Sequence, residues 1–172
     1  LLCAFWAFLY AMDIHTTDLT LKIIITKIRF TVVSLIPPLT LLMVISHINK
    51  SEWIKRRLIT SLMVFPFVTW ILMWTSEYHK MFRYNYHIDK SGPFYVLLST
   101  NGLWYWLYCF YCYALLMTTV ILLIKHIREG SFFYYSQTIL IIIATVIPSV
   151  SDILFNMGIT PLKGYNMTST IL

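Results

Sequence analysis

The sequence predicts an all-α fold, a polytopic bundle of membrane helices carrying one β-hairpin in an extracellular loop. Three observations predict it. Hydrophobic residues fill 59% of the 172 positions and charged residues only 12%, with a mean hydropathy of +0.73, outside the balance of a soluble domain. The apolar residues come in long runs separated by polar segments, and a chain of this length holds roughly five spans of about 20 residues. Aromatic residues make up 17%, and Trp6, Trp53, Trp70, Trp74, Trp104 and Trp106 fall mostly near run ends, where amphipathic rings settle at headgroup level.

The first run, residues 1–14, is too short for a full span and reads as the outer part of a longer helix. Asp13, His15 and Asp18 then mark water. The second, residues 21–48, is long enough to cross with tilt, and Pro37 and Pro38 should kink it because they remove backbone donors. A basic connection over 47–57 leads to the third run, residues 58–75, which contains Pro66.

The polar segment 76–101 is the longest in the chain. Tyr84, Tyr86 and Ile88 alternate with polar residues, and Asp89 to Pro93 supplies turn chemistry, so a hairpin is expected over one end of the bundle. The fourth run, residues 102–125, ends in a second basic turn over 125–131. The fifth, residues 132–157, contains Pro148, Ser149, Ser151, Asp152 and Asn156, and another helix is expected to start at 167. The chain starts at Leu1 inside an apolar stretch and stops at Leu172 as a new one opens, so one transmembrane domain, truncated at both ends, is expected over 1–172. No basic region or small-residue cleavage site suggests a signal peptide.

Orientation follows from the short loops. Lys50, Lys55, Arg56 and Arg57 in one, with Lys125 and Arg128 in the other, place loops 47–57 and 125–131 in the cytoplasm of a plasma or inner membrane. Loop 76–101 is then extracellular or periplasmic.

Asp152 is the sharpest polar signal, since a carboxylate inside an apolar helix is costly unless it faces the bundle interior and finds a partner. Counting back from Gly158 at about 1.5 Å per residue puts it roughly 9 Å inside the outer surface, and Arg29 lies at comparable depth, roughly 10 Å below Lys22. An Asp152 to Arg29 pair is therefore expected. The alternative is that Asp152 caps a broken helix while Arg29 snorkels to the interface. Asn156, one turn beyond Asp152, shares its face and lines a cavity or serves as interhelical glue. His79, at the outer end of the third run, is placed to reach a ligand or to act as a pH-sensitive group, although most loop histidines do neither.

No metal site or cofactor is expected. His15, His47, His79, His87 and His126 all sit at run ends or in loops, which disfavours a mid-membrane haem. Cys109 and Cys112 form a C-x-x-C that thiol oxidoreductases use, but the loops hold no relay cysteine, so ordinary packing is the simpler reading. Asn166 to Thr168 matches a glycosylation acceptor. Nothing has the pattern of a nucleophile triad or a phosphate-cradling loop, so no catalytic centre is expected. No basic stretch interleaved with aromatics points to nucleic acid.

The order of landmarks resembles the N-terminal seven-transmembrane region of bacterial and archaeal histidine kinases. The resemblance is carried by Lys27 to Phe30 followed by Leu35 to Leu39, by Lys55 to Arg57 opening the next helix, and by the aromatic loop around His79. Ile147 with Pro148, Asn156 with Gly158, and Pro161 to Thr168 add to it. It implies a module of seven helices, five substantially present here, coupled to a cytoplasmic histidine kinase or cyclic-dinucleotide synthase and acting as a homodimer through the full-length protein. The chain departs from the family pattern at Phe30, where tyrosine is usual, and at Asp152, where no charge is expected. The expected function is reception of a small-molecule or lipid ligand in an outward-facing cavity lined by Arg29, Trp74, His79, Tyr108, Asp152 and Asn156. The alternatives are a transporter or channel using Asp152, and a thiol oxidoreductase using Cys109 and Cys112.

Overall fold

A computed structural model describes residues 2–48, 50–89, 96–128 and 135–156. Helix α1 covers Leu2–His15, and α2 covers Leu19–Ser34, started by Asp18, whose carboxylate accepts the Thr20 N–H at 3.1 Å. Helix α3, Ile36–His47, continues α2 after a break at Leu35. The break has the expected cause: Pro37 and Pro38 have no N–H for the carbonyls of Val33 and Ser34. Leu35 instead turns its own N–H back on Val32, and the ladder resumes with Leu39 donating to Leu35.

A 3₁₀ turn at Ser51–Trp53 connects α3 to α4, Arg56–Trp74, and the short α5, Ser76–His79, ends with Lys80 in the left-handed region. The expected hairpin is present as β1, Arg83–Asp89, antiparallel to β2, Val96–Asn101. Its register slips between Tyr84 and His87, where Asn85 takes φ 54°, a bulge conformation that asparagine tolerates better than most residues. Gly102 then closes the hairpin tightly. Its N–H donates to Phe82 at 2.6 Å, and a Cβ there would lie 2.1 Å from the Met81 carbonyl oxygen.

Helices α6, Leu103–Arg128, and α7, Tyr135–Asn156, complete the described elements. Among the described residues, four helical segments are long and apolar enough to cross a bilayer: Leu19–His47, Arg56–Trp74, Leu103–Arg128 and Ser136–Leu154. The expected helix from 167 and the Asn166 acceptor lie outside the described residues, as does the turn between β1 and β2.

Packing runs in two layers of contact. At one end Leu41 and Ile45 of α3 meet Leu62 of α4, while Val44 and Ile48 meet Leu123 of α6 against Ile141 and Ile142 of α7. At the other end Met73, Phe82 and Tyr105 join α4, the hairpin and α6, with Phe30 of α2 against them. The two basic connections therefore share one end of the bundle, and the hairpin covers the opposite one. Phe8, Phe67, Phe110 and Leu140 face outward while Lys22, Lys27 and Thr69 are buried, the inversion expected where hydrocarbon surrounds the protein.

Proline also leaves a vacancy inside α4. Pro66 cannot donate to the Leu62 carbonyl, and the Tyr111 hydroxyl of α6 donates there instead, at 2.7 Å.

Candidate functional site: a buried cluster of cations and aromatic rings

The polar residues of α2 fall on one side. Lys22, Thr26 and Arg29 are spaced four and three apart, so a helix stacks them on a single stripe. That stripe faces α1, whose last turn holds Asp13, 8% exposed. Lys22, 1% exposed, donates to the main-chain oxygens of Asp13 and Thr16, and its ammonium lies 3.6 Å from the Asp13 carboxylate. A cation thus caps the carbonyl end of α1, where the helix dipole is negative. Two turns on, Arg29 donates to the other Asp13 oxygen at 3.0 Å and stacks on Tyr10, 4.8 Å from the ring centre. One carboxylate serves two cations.

Toward the hairpin the cluster becomes aromatic. Phe30 packs edge-on against Phe82 at 4.9 Å and lies 5.3 Å from Tyr108. The Arg83 guanidinium sits over Phe30 at 5.7 Å and over Tyr105 at 4.8 Å. Arg83 is within electrostatic reach of Arg29, so a second like charge bears on Arg29 in a largely dehydrated setting. Among the described residues no ion pair involves Arg83; its guanidinium meets the Tyr105 hydroxyl while its Nε is buried without a partner, and the buried Tyr108 hydroxyl finds no oxygen or nitrogen partner. The Cys112 thiol lies near that hydroxyl, one turn along α6.

The residues expected to line a ligand cavity separate into groups. Tyr108 packs against Phe30, while Arg29, the preceding residue of α2, meets Asp13 and Tyr10 of α1. Trp74, 45% exposed, stands at the edge, where the Lys27 ammonium approaches its ring at 5.8 Å and pairs with Glu77 at 2.8 Å. His79 is engaged locally: its Nδ1 accepts the Met81 N–H at 3.1 Å, and its Nε2 lies 2.9 Å from the Thr75 hydroxyl, which itself donates to Ile71. These partners fit a neutral ring protonated at Nε2. Asn156 is the last residue of α7, and its side chain lies outside the described residues.

The expected Arg29 to Asp152 pair does not form. Arg29 meets Asp13, and Asp152 accepts from the Tyr113 hydroxyl at 3.0 Å. The reason is helix adjacency: α2 packs beside α1, whereas α7 packs on α6. Asp152 is still in electrostatic reach of Tyr105 and Cys109 on the same face of α6, so it borders the aromatic side of the cluster. The Ser149 hydroxyl, three residues before Asp152, donates to the Thr145 carbonyl of its own helix at 2.6 Å. Cys109 and Cys112 are unbridged and half-buried in α6.

Asp13, Lys22 and Arg83 are absent from the sequence-derived set. The polar stripe of α2 is the signal that locates Lys22. Asp13 and Arg83 carry no such signal, since each sits in a polar-looking segment that folding turns inward.

Comparison with curated proteins and with solved structures gives no match. A family model does match: that of the N-terminal seven-transmembrane region of histidine kinases, over residues 1–172. The apolar spans and the buried polar cluster accord with such a module. The chain belongs to the family of N-terminal seven-transmembrane regions of histidine kinases, and it is a membrane sensor module.

Proposed function

We propose that the module receives a small molecule or a membrane-phase cue at its hairpin end and passes the change to a C-terminal cytoplasmic output domain, a histidine kinase or a cyclic-dinucleotide synthase, within a homodimer. The observation that carries this reading is the shared Asp13 carboxylate between Lys22 and Arg29. One anion shared by two cations offers alternative pairings, and in this reading the cue shifts the balance between them, as a bistable receptor element requires. The basic connections at the far end of the bundle support a cytoplasmic side there, and hence an extracellular hairpin.

Transmission requires that the cue contact the two states differently. The break at Leu35 between α2 and α3 supplies a flexing point directly below Arg29 and Phe30. In this reading Arg29, Trp74 and Tyr108 touch the cue, and Asp152 borders the route along α6 and α7.

The test is autophosphorylation, or dinucleotide synthesis, by the intact receptor in its own membrane. Arg29→Ala is expected to shift the basal output and blunt the response to cue, and Asp152→Asn to blunt it less. Full response in both variants would remove the assignment of this end as the receiving site.

A further inference from the structure

The cluster under the hairpin holds three cations, Lys22, Arg29 and Arg83, against one carboxylate, Asp13. Asp152 approaches from α7, where it accepts from Tyr113 and bears, with Arg83, on Tyr105 and Cys109, so it offsets part of that charge, and Lys27 is matched by Glu77. Two carboxylates against three cations still leave an excess of positive charge in a largely apolar setting, which an added anion would offset. Two further features define what that anion is. Arg83 has a buried Nε without a partner while the rest of its guanidinium meets the Tyr105 hydroxyl, and the Tyr108 hydroxyl has only the Cys112 thiol beside it, so donors short of oxygen acceptors flank Phe30. Guanidinium groups match the planar, multidentate geometry of carboxylate and phosphate oxygens. Around them lie Phe30, Phe82 and Tyr105, apolar faces that suit a hydrocarbon or ring attached to the charged head.

We propose that Arg29, Arg83 and the Tyr108 hydroxyl form a binding site for an oxyanion head, carboxylate or phosphate, carried on an apolar body. This rests on the reading of the hairpin end as the receiving site, and it names the chemistry received. Binding supplies the missing acceptor to Arg83 Nε and Tyr108 and relieves the repulsion between the two guanidiniums. It also competes with Asp13 for Arg29, which loosens α1 from α2. The head belongs either to an anionic phospholipid of the outer leaflet or to a free amphiphilic acid.

The intact receptor in phosphatidylcholine nanodiscs is titrated with dodecyl phosphate, with dodecanol as the uncharged control, and followed by tryptophan fluorescence, since Trp74 and Trp104 lie beside the cluster. The expected result is saturable binding of dodecyl phosphate, weakened about tenfold in Arg83→Gln, because one charge-assisted hydrogen-bonding group is worth roughly that factor. Arg83→Lys keeps the charge without the fork and falls between the two. Tyr108→Phe, a change of one oxygen in a buried ring, gives a smaller loss and stands in if Arg83→Gln does not fold. Equal binding of dodecanol, or unchanged affinity in folded Arg83→Gln and Tyr108→Phe, overturns the site. Phosphatidylglycerol nanodiscs separate the sources. Loss of dodecyl phosphate binding there identifies the lipid headgroup as the natural occupant, and retained binding identifies a free acid. Binding that leaves the output unchanged would keep the site and remove its signalling role. Absence of binding together with altered output in Arg29→Ala would overturn the site and leave the receiving end standing.

Discussion

The Tyr111 hydroxyl donates to the Leu62 carbonyl at 2.7 Å, four residues before Pro66, so a side chain of α6 fills the position that a proline leaves empty in α4. In hydrocarbon no water is available to that carbonyl, and the two helices are tied at a point fixed by the proline. The contact is also aromatic, since Tyr111 stacks on Phe65 at 4.5 Å.

Tyr111→Phe keeps the stacking and removes the bond, and is expected to cost about 1 kcal/mol, the scale of interhelical hydrogen bonds in membranes. Pro66→Ala restores the N–H that serves Leu62. In the Pro66→Ala background the Tyr111→Phe change is therefore expected to be nearly neutral. A double-mutant cycle on thermal or denaturant unfolding in detergent measures the coupling, and additive costs would contradict the substitution of one donor by the other.

Asp13 and Glu77 both make ion pairs with α2, and burial separates their worth. Asp13→Ala leaves buried Lys22 and part-buried Arg29 without their shared carboxylate, and a loss of about 3 kcal/mol or more is expected. The Glu77 side chain is 64% exposed, so Glu77→Gln is expected to cost about 0.5 kcal/mol. Unfolding of the two variants at low and high salt checks both values, with salt altering the Glu77 contribution more than that of Asp13.

Gly102→Ala is expected to destabilise the hairpin by about 2 kcal/mol or more, because the new Cβ would meet the Met81 carbonyl oxygen, which is backbone and cannot rotate away. Limited proteolysis within 83–101, faster in the variant than in the parent, is the measurement.

Tyr113→Phe removes the hydroxyl that donates to Asp152 and is expected to cost about 1–2 kcal/mol, since the carboxylate stays partly buried with one bond fewer. Asp152→Asn keeps an oxygen acceptor for Tyr113 and is expected to cost less than that. Unfolding midpoints of the two variants, compared under one condition, decide the order.

The hairpin is legible in sequence because its alternation and turn residues are local, and so is the break above Pro37. The α2 stripe of Lys22, Thr26 and Arg29 is legible for the same reason, as helical spacing alone stacks it. The candidate site is less so. Depth counted along each helix places Arg29 and Asp152 level with one another, and says nothing of which helices adjoin.

The sequence by itself determined that this is a membrane bundle, where its spans run and which end carries the hairpin, because hydropathy and proline chemistry act over a few residues. Only the tertiary structure decided that Arg29 meets Asp13, that Arg83 turns inward over Phe30 and Tyr105, and that Tyr111 completes α4 at Leu62. Those pairings depend on the order in which helices pack, and in a bilayer every helix presents similar apolar faces to its neighbours. Shape and a few hydrogen bonds choose among them, and neither is written in any one segment.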